Sequence, residues 1–126
     1  MFPDLPLSIA AVEDYPTLRI IRLRGPIDQT TVYDLEKFRK SVSQHKGFTH
    51  KHILLDFKEV TRMDTAAVAQ IIQAVSELKS KHYRVGVIHL QEMHRDMMRV
   101  LRVENWLVFY DNESEALDDL KRGTIQ

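Results

Sequence analysis

Apolar residues along the chain follow two alternating rhythms. In "TLRIIRLRG" (17–25), Leu18 and Ile20 sit on one face and Ile21 and Leu23 on the other. Such a strand is buried on one face and partly on the other, and Gly25-Pro26 is expected to end it. "HILLDF" (52–57) is an uninterrupted apolar run too short for a helix, which fits a central strand covered on both faces and closed by Asp56. "YRVGVIHL" and "WLVFY" read as further strands, and "LSIAAVED" as a short first strand before a turn at Tyr15-Pro16. Between these runs the spacing changes to threes and fours. Val32, Leu35, Phe38 and Val42 predict a helix capped by Asp28 and Thr30, with its exit at Gly47. The clearest helical pattern runs from Thr65 to Lys79. Its stripe is Val68, Ile71, Ile72, Val75 and Leu78, with Gln70, Gln73, Glu77 and Lys81 off it. "QEMHRDMMRVLRV" predicts a helix with Met93, Met97, Val100 and Leu101 inward and Met98 on another side, a candidate for surface contact. "ESEALDDLKR" predicts a terminal helix capped by Asn112 or Ser114.

Strands that alternate with helices require crossover connections, so the pattern predicts an α/β domain with a mostly parallel or mixed sheet. At 126 residues the chain fits one domain with a proper core. All four prolines lie at or before Pro26, which marks the N-terminal segment as edge strand, turn or loose arm, with residues 1–7 as the arm. Eighteen basic and eighteen acidic side chains cancel, giving no electrostatic reason to expect nucleic acid or an anionic membrane as partner. The start shows neither a basic segment nor a long apolar one, and no stretch has the length to span a bilayer. The expectation is a cytoplasmic domain without membrane insertion.

The absence of cysteine excludes disulfides, thiol nucleophiles and thiolate metal sites. Four scattered glycines, at 25, 47, 86 and 123, form no phosphate-binding loop, and there is no serine nucleophile elbow. The six histidines are dispersed, so no shared metal site and no cofactor are expected. Asp56 and Asp64 allow two readings: a carboxylate pair for acid–base work or Mg²⁺, or a strand end and a helix cap. The second asks less of the fold. Trp106 reads as core. Thr65 also has two readings. Asp and Thr are both favoured at a helix N-cap, where a side-chain oxygen accepts a free backbone N–H. Equally, a hydroxyl in a helix's first turn is open to modification, and a phosphate there would meet free amides and the positive end of the helix dipole.

Three segments, taken in order, resemble the STAS domain family. "LRIIRLRGPIDQTTVYDLEKF" is similar to its strand, "G-x-[IL]-D" turn and first helix. "HILLDFKEVTRMDTAAVAQIIQAV" is similar to its central strand, "D-x-x-x-V-x-x-[MI]-D-[ST]" signature and signature helix. "YRVGVIHLQEMHRDMMRVLRVENWLVFYDNESEAL" resembles the remainder, ending in "D-x-x-x-E-A-L". The resemblance spans about residues 8 to 121. It implies a single STAS-like domain: a mixed four- to five-stranded sheet with about four helices, packed on one main face. It further implies a non-enzymatic interaction switch of the anti-sigma-factor-antagonist type. Thr65 would be phosphorylated by an anti-sigma factor acting as kinase and reset by a phosphatase. The docking face would comprise Asp64, Thr65, Ala66 and Val68, with Gly25, Ile27 and Asp28 on the neighbouring loop. Typical antagonists read Asp-Ser-Ser/Thr-Gly-Leu, whereas this chain has Ala66 in place of the second hydroxyl and Ala67 in place of the glycine. That variation is similar to stressosome STAS proteins and leaves a second role open: a constitutive scaffold or regulatory subunit of a stressosome, transporter or lipid-transport complex. A homodimer is compatible with either role.

Overall fold

The computed structural model describes residues 5–43, 51–80 and 83–121, without the side chains of 39, 41–43, 74–80 and 104. The expected roles of Val42, Gly47, Val75, Glu77, Leu78 and Lys81 lie outside what is described, as do residues 1–4 of the expected arm. Five strands form one sheet in chain order: β1 (Ile9–Asp14), β2 (Leu18–Ile27), β3 (His52–Met63), β4 (Val85–Ile88) and β5 (Val108–Phe109). β1 runs antiparallel to β2, and every later pair is parallel. The sheet is therefore mixed. The helices are α1 (Gln29–Ser43), α2 (Thr65–Ser80), α3 (Glu92–Val100) and α4 (Glu113–Lys121), with a short 3₁₀ turn at Val103–Asn105. Among the described residues, no helix is long and apolar enough to cross a membrane.

Alternation along the strands divides the core in two. Ile21, Leu23 and Ile27 of β2, with Leu55, Val85 and Val87, meet Phe38 of α1, Ala67 and Val68 of α2, and Met98 of α3. Leu18, Ile20, Leu54 and Ile88 point to the opposite face, where Ala116 and Leu120 of α4 cover them with Tyr110. The helices thus occupy both faces, three on the larger and α4 on the smaller.

Two strands are longer than their patterns predict. β3 passes through "KEVTRM" to Met63, and β2 passes through Gly25-Pro26 to Ile27. The cause is their mutual pairing, which persists to Ile27↔Met63 across register shifts at Arg22/Arg24 and Gly25/Pro26. The extra residues fall on β3, as bulges do where a strand must bend. Gly25 takes a left-handed conformation with φ 74°, and Pro26 lies beyond the last rung with β1, on a free edge that needs no N–H. At the other end, Leu5 packs against the core and the Ser8 N–H donates to Asp34 at 3.0 Å. Residues 5–8 are therefore anchored rather than loose.

α3 is rotated from its predicted register. His94 and Met98 are buried, whereas Met93 and Val100 are 70% and 81% exposed. Leu101 does pack on the core, and Met98, expected as a surface candidate, lies within it. Trp106, expected as core, is 39% exposed at the rim of the sheet.

His52 joins β3 to β4. Its ring is fully buried, and its Nδ1 accepts the Arg84 N–H at 2.9 Å, so the proton of the neutral ring resides on Nε2. Burial and the nearby Arg84 together depress its pKa, against a smaller opposing effect from Asp119. A group whose folded pKa is lowered contributes stability above its unfolded pKa, here 6.5, and loses it as pH falls below. The urea midpoint is expected to fall between pH 8 and pH 5.5. His52→Asn, which retains an acceptor for Arg84, is expected to flatten that dependence; equal slopes in both proteins would contradict the assignment.

Candidate functional site

The paired ends of β2 and β3 deliver two helix N-termini side by side. Asp64 donates its N–H to Ile27 O at 2.8 Å, so Asp28 and Asp64 leave the sheet as neighbours. Each aspartate caps the helix that follows. Asp28 Oδ1 accepts the Thr30 and Thr31 amides at 3.0 and 3.4 Å, and the Asp28 N–H returns a bond to Thr31 Oγ1 at 3.2 Å. The Thr31 hydroxyl in turn donates to Pro26 O. This reciprocal arrangement is a capping box built on threonine. Asp64 Oδ1 accepts the Ala66 and Ala67 amides at 2.8 and 3.3 Å, and its carbonyl takes the Val68 amide at 3.0 Å. Gln29 and Gln70 join the two helices through a 3.3 Å bond, and Arg62 stands 3.9 Å from Asp28.

Asp64 therefore caps α2, and Thr65 is left as its first residue, exposed to solvent. The structure separates the two capping candidates that the sequence leaves equivalent. Ala66 is exposed beside Thr65, and Gly25 and Asp28 are partly exposed. Ile27 and Val68, expected on the same face, are 1% and 2% exposed and lie beneath it as its support. Ala67 is also buried, so its methyl points into the core. Alanine in place of glycine there does not hinder approach from outside. The amides expected to welcome an anion are partly taken: Ala66 and Ala67 already donate to the Asp64 carboxylate, and Asp64 itself to Ile27 O. A phosphate on Thr65 would stand beside the Asp64 carboxylate with little compensating hydrogen bonding. Asp64→Ala is expected to destabilise the protein by about 1 kcal/mol through the lost cap, with α2's first turn fraying in hydrogen exchange.

Asp56 does not join this site. Asp64 follows it along the same extended strand, which at about 3.3 Å per residue separates the two by roughly 25 Å. The carboxylate pair for acid–base work or Mg²⁺ is thus not formed. Asp56 instead sits 5% exposed on the α4 face of the sheet. It accepts from Arg22 Nη1 and His89 Nδ1, both at 2.7 Å, and from the Lys58 amide at 2.9 Å. Arg22 also holds Glu13 at 2.7 Å and grips Glu113 of α4 with two bonds of 2.9 and 3.1 Å. Burial raises the Asp56 carboxyl, but His89, the Lys58 amide and Arg22 outweigh it and hold the pKa below the usual range. The Arg22 bonds lower Glu113 as well, against its burial. His89 adopts a left-handed backbone with φ 63°, which turns its ring back toward Asp56. Sequence reading missed this cluster because its members are 34 and 91 positions apart. Arg22, in line with Leu18 and Ile20 on one face of β2, was its one trace.

The fold and site together define an α/β domain that presents two aspartate-capped helix ends side by side where β2 and β3 end. The chain belongs to the STAS domain family, whose model matches residues 10–116. Solved structures share the architecture. A proposed anti-sigma factor antagonist of Thermotoga maritima aligns with TM-score 0.74 at 16% identity, over 89% of this chain and 94% of that one. An anti-sigma factor antagonist from Mycobacterium paratuberculosis gives 0.71 at 20%, over 90% and 95%. The anti-sigma factor antagonist SpoIIAA gives 0.63 at 22% in its unphosphorylated form, over 90% and 98%. The Bacillus SpoIIAA in its phosphorylated form gives 0.61 at 22%, over 86% and 96%. At these identities the likeness establishes the fold. Comparison with curated protein sequences finds no match.

Proposed function

We propose that this protein is a non-enzymatic, partner-switching regulator of the anti-sigma-factor-antagonist type, with Thr65 as its phosphorylation site. The observation that carries the reading is Thr65 itself: exposed, relieved of capping by Asp64, and next to the Asp64 carboxylate at the start of α2. Asp64, Thr65 and Ala66, with Gly25 and Asp28 alongside, form the face that a partner covers. Ile27 and Val68 hold that face rigid from below. In the unmodified state an anti-sigma factor docks there. Phosphate on Thr65 then adds about −1.5 to −2 charges beside Asp64, and a docked partner is repelled without disturbance to the core. The solved forms of SpoIIAA, phosphorylated and unphosphorylated, support a switch of this kind on this fold.

The test is direct. The purified protein is incubated with MgATP and each anti-sigma kinase encoded in its own genome, then weighed intact. One phosphoryl group is expected on the native protein and none on Thr65→Ala. If Thr65 gains no phosphate and Thr65→Glu leaves every partner affinity unchanged, the switch is wrong, and the constitutive scaffold or transporter subunit becomes the better reading.

A further inference from the structure

His52 sits where β2, β4 and α4 meet the start of β3. Its N–H donates to Thr17 O at 3.0 Å, and its side chain, two residues before Leu54, faces the α4 side of the sheet. The ring is fully buried. Nδ1 accepts the Arg84 N–H at 2.9 Å, just ahead of β4, and the Arg84 carbonyl takes the Ile53 N–H at 3.0 Å. Arg84 is thus pinned to β3 by both of its backbone groups. Its guanidinium then reaches α4, donating to Asp119 Oδ2 at 3.1 Å and to the Asp119 carbonyl at 3.4 Å. The Tyr110 hydroxyl donates to the same Oδ2. A continuous path of contacts runs from His52 through Arg84 to the last turn of α4.

The other ring nitrogen, Nε2, is buried with no hydrogen-bond partner among the described residues. A histidine so placed tolerates one state. Neutral, with its proton on Nε2, it receives Arg84. A second proton must sit on Nδ1, where it meets the Arg84 N–H head on, donor against donor. The bond is then lost, the Arg84 amide is left unpaired, and a buried cation is created. The charged and titratable neighbours do not offset that cost. Arg84 repels the cation, and Asp119 attracts it but is already held by Arg84 and Tyr110. Tyr83 meets the ring edge-on, with centroids 5.8 Å apart. Lys51, next in the chain, turns to Asp14 at 2.7 Å, and Lys121 of α4 lies 4.2 Å over the Tyr15 ring.

We infer that His52 is a proton-operated latch on α4: a second proton breaks the His52–Arg84 bond, displaces Arg84 and frees the last turn of α4 from the sheet. Release uncovers the apolar floor of Leu18, Ile20 and Leu54 that Leu120 covers. The aspartate-capped helix ends lie at the opposite ends of β2 and β3 and keep their place when the latch opens. Burial and Arg84 depress the His52 pKa against the pull of Asp119, so the latch is closed above 6.5 and opens as pH falls below that value.

Amide hydrogen exchange on the full chain tests the latch, read as protection factors so that the intrinsic effect of pH is removed, at about pH 7.5 and about pH 5. The amides of Leu120 and Lys121 are expected to lose up to about tenfold in protection per pH unit below the His52 titration, the limit for one proton. Those of Ala69 to Ile72 in α2 are expected to change far less. Ring ¹⁵N shifts follow His52 in the same samples: Nδ1 is expected to lack a proton near neutral pH and to gain one over the range in which α4 opens. His52→Asn keeps an acceptor for Arg84 and takes up no proton, so it is expected to hold α4 closed at both values. The latch is overturned if α4 opens while His52 is still neutral, or if α2 and α4 lose protection equally. It is also overturned if His52 stays neutral until the whole chain unfolds, or if His52→Asn opens in acid as the native protein does. Should that variant fail to fold, the ring shifts and protection factors of the native protein decide alone.

Discussion

Arg22→Met is expected to lower the free energy of unfolding by about 2–4 kcal/mol. Removing one member of a buried ion pair costs about 3–5 kcal/mol, because the other charge remains without compensation. The Arg22 side chain is 22% exposed, and water screening reduces the lower end of that range. Asp56, at 6% side-chain exposure, is the group left in deficit, since His89 and the Lys58 amide are then its donors among the described residues. Glu113 loses its paired bonds at the same time, and with them one polar tie between α4 and the sheet. The urea midpoint is the measurement. Its pH dependence supplies a check that mere loss of packing would not reproduce. Asp56 and Glu113 have lowered pKa values in the fold, so their contribution is present above their ordinary values of 3.8 and 4.5 and is lost as pH falls through the folded ones. The penalty of Arg22→Met is therefore expected to shrink near pH 3. A penalty equal at pH 3 and pH 7 would show that the arginine acts only as a spacer.

Phosphorylation of Thr65 is expected to weaken partner binding by a hundred- to a thousandfold, equivalent to about 3–4 kcal/mol. Two effects combine. The phosphate carries about two negative charges into a face that already holds the Asp28 and Asp64 carboxylates, and it must lose water when a partner covers it. The first-turn amides give it little return, because those of Ala66 and Ala67 already donate to the Asp64 carboxylate and that of Asp64 to Ile27 O. Isothermal titration of the phosphorylated and unmodified forms measures the difference. The unfolding midpoint is expected to stay nearly constant, since Thr65 is exposed and bears no load in the core. A large fall in stability on phosphorylation would mean that the modification acts by unfolding α2.

Much of the fold was legible because local periodicity reports what each element buries. The apolar run of "HILLDF" could only be a strand covered twice, and α2 announced itself by its stripe. Asn112, one of two cap candidates, does accept the Glu115 amide at 2.8 Å. The family resemblance, too, needed only the order of segments. Other outcomes depended on parts of the chain that periodicity does not link. β2 and β3 outran their apparent ends because each supplied the other's hydrogen bonds. α3 turned its richest apolar stripe outward because the sheet and the turn after it fixed which side faced in, and His94 and Met98 filled that space.

The sequence by itself determined the alternation of strands and helices, the family, and the nomination of Thr65. The alternation follows from near neighbours, where side-chain spacing acts directly; the family and Thr65 came through the resemblance of the ordered segments. Only the tertiary structure decided that Asp64 caps and Thr65 is free, that Ile27 and Val68 support the face from within, and that Asp56 is bound to Arg22 and His89 instead of Asp64. Each of these depends on which residues meet across the sheet, and hydrogen bonds between distant segments leave no periodic trace along the chain.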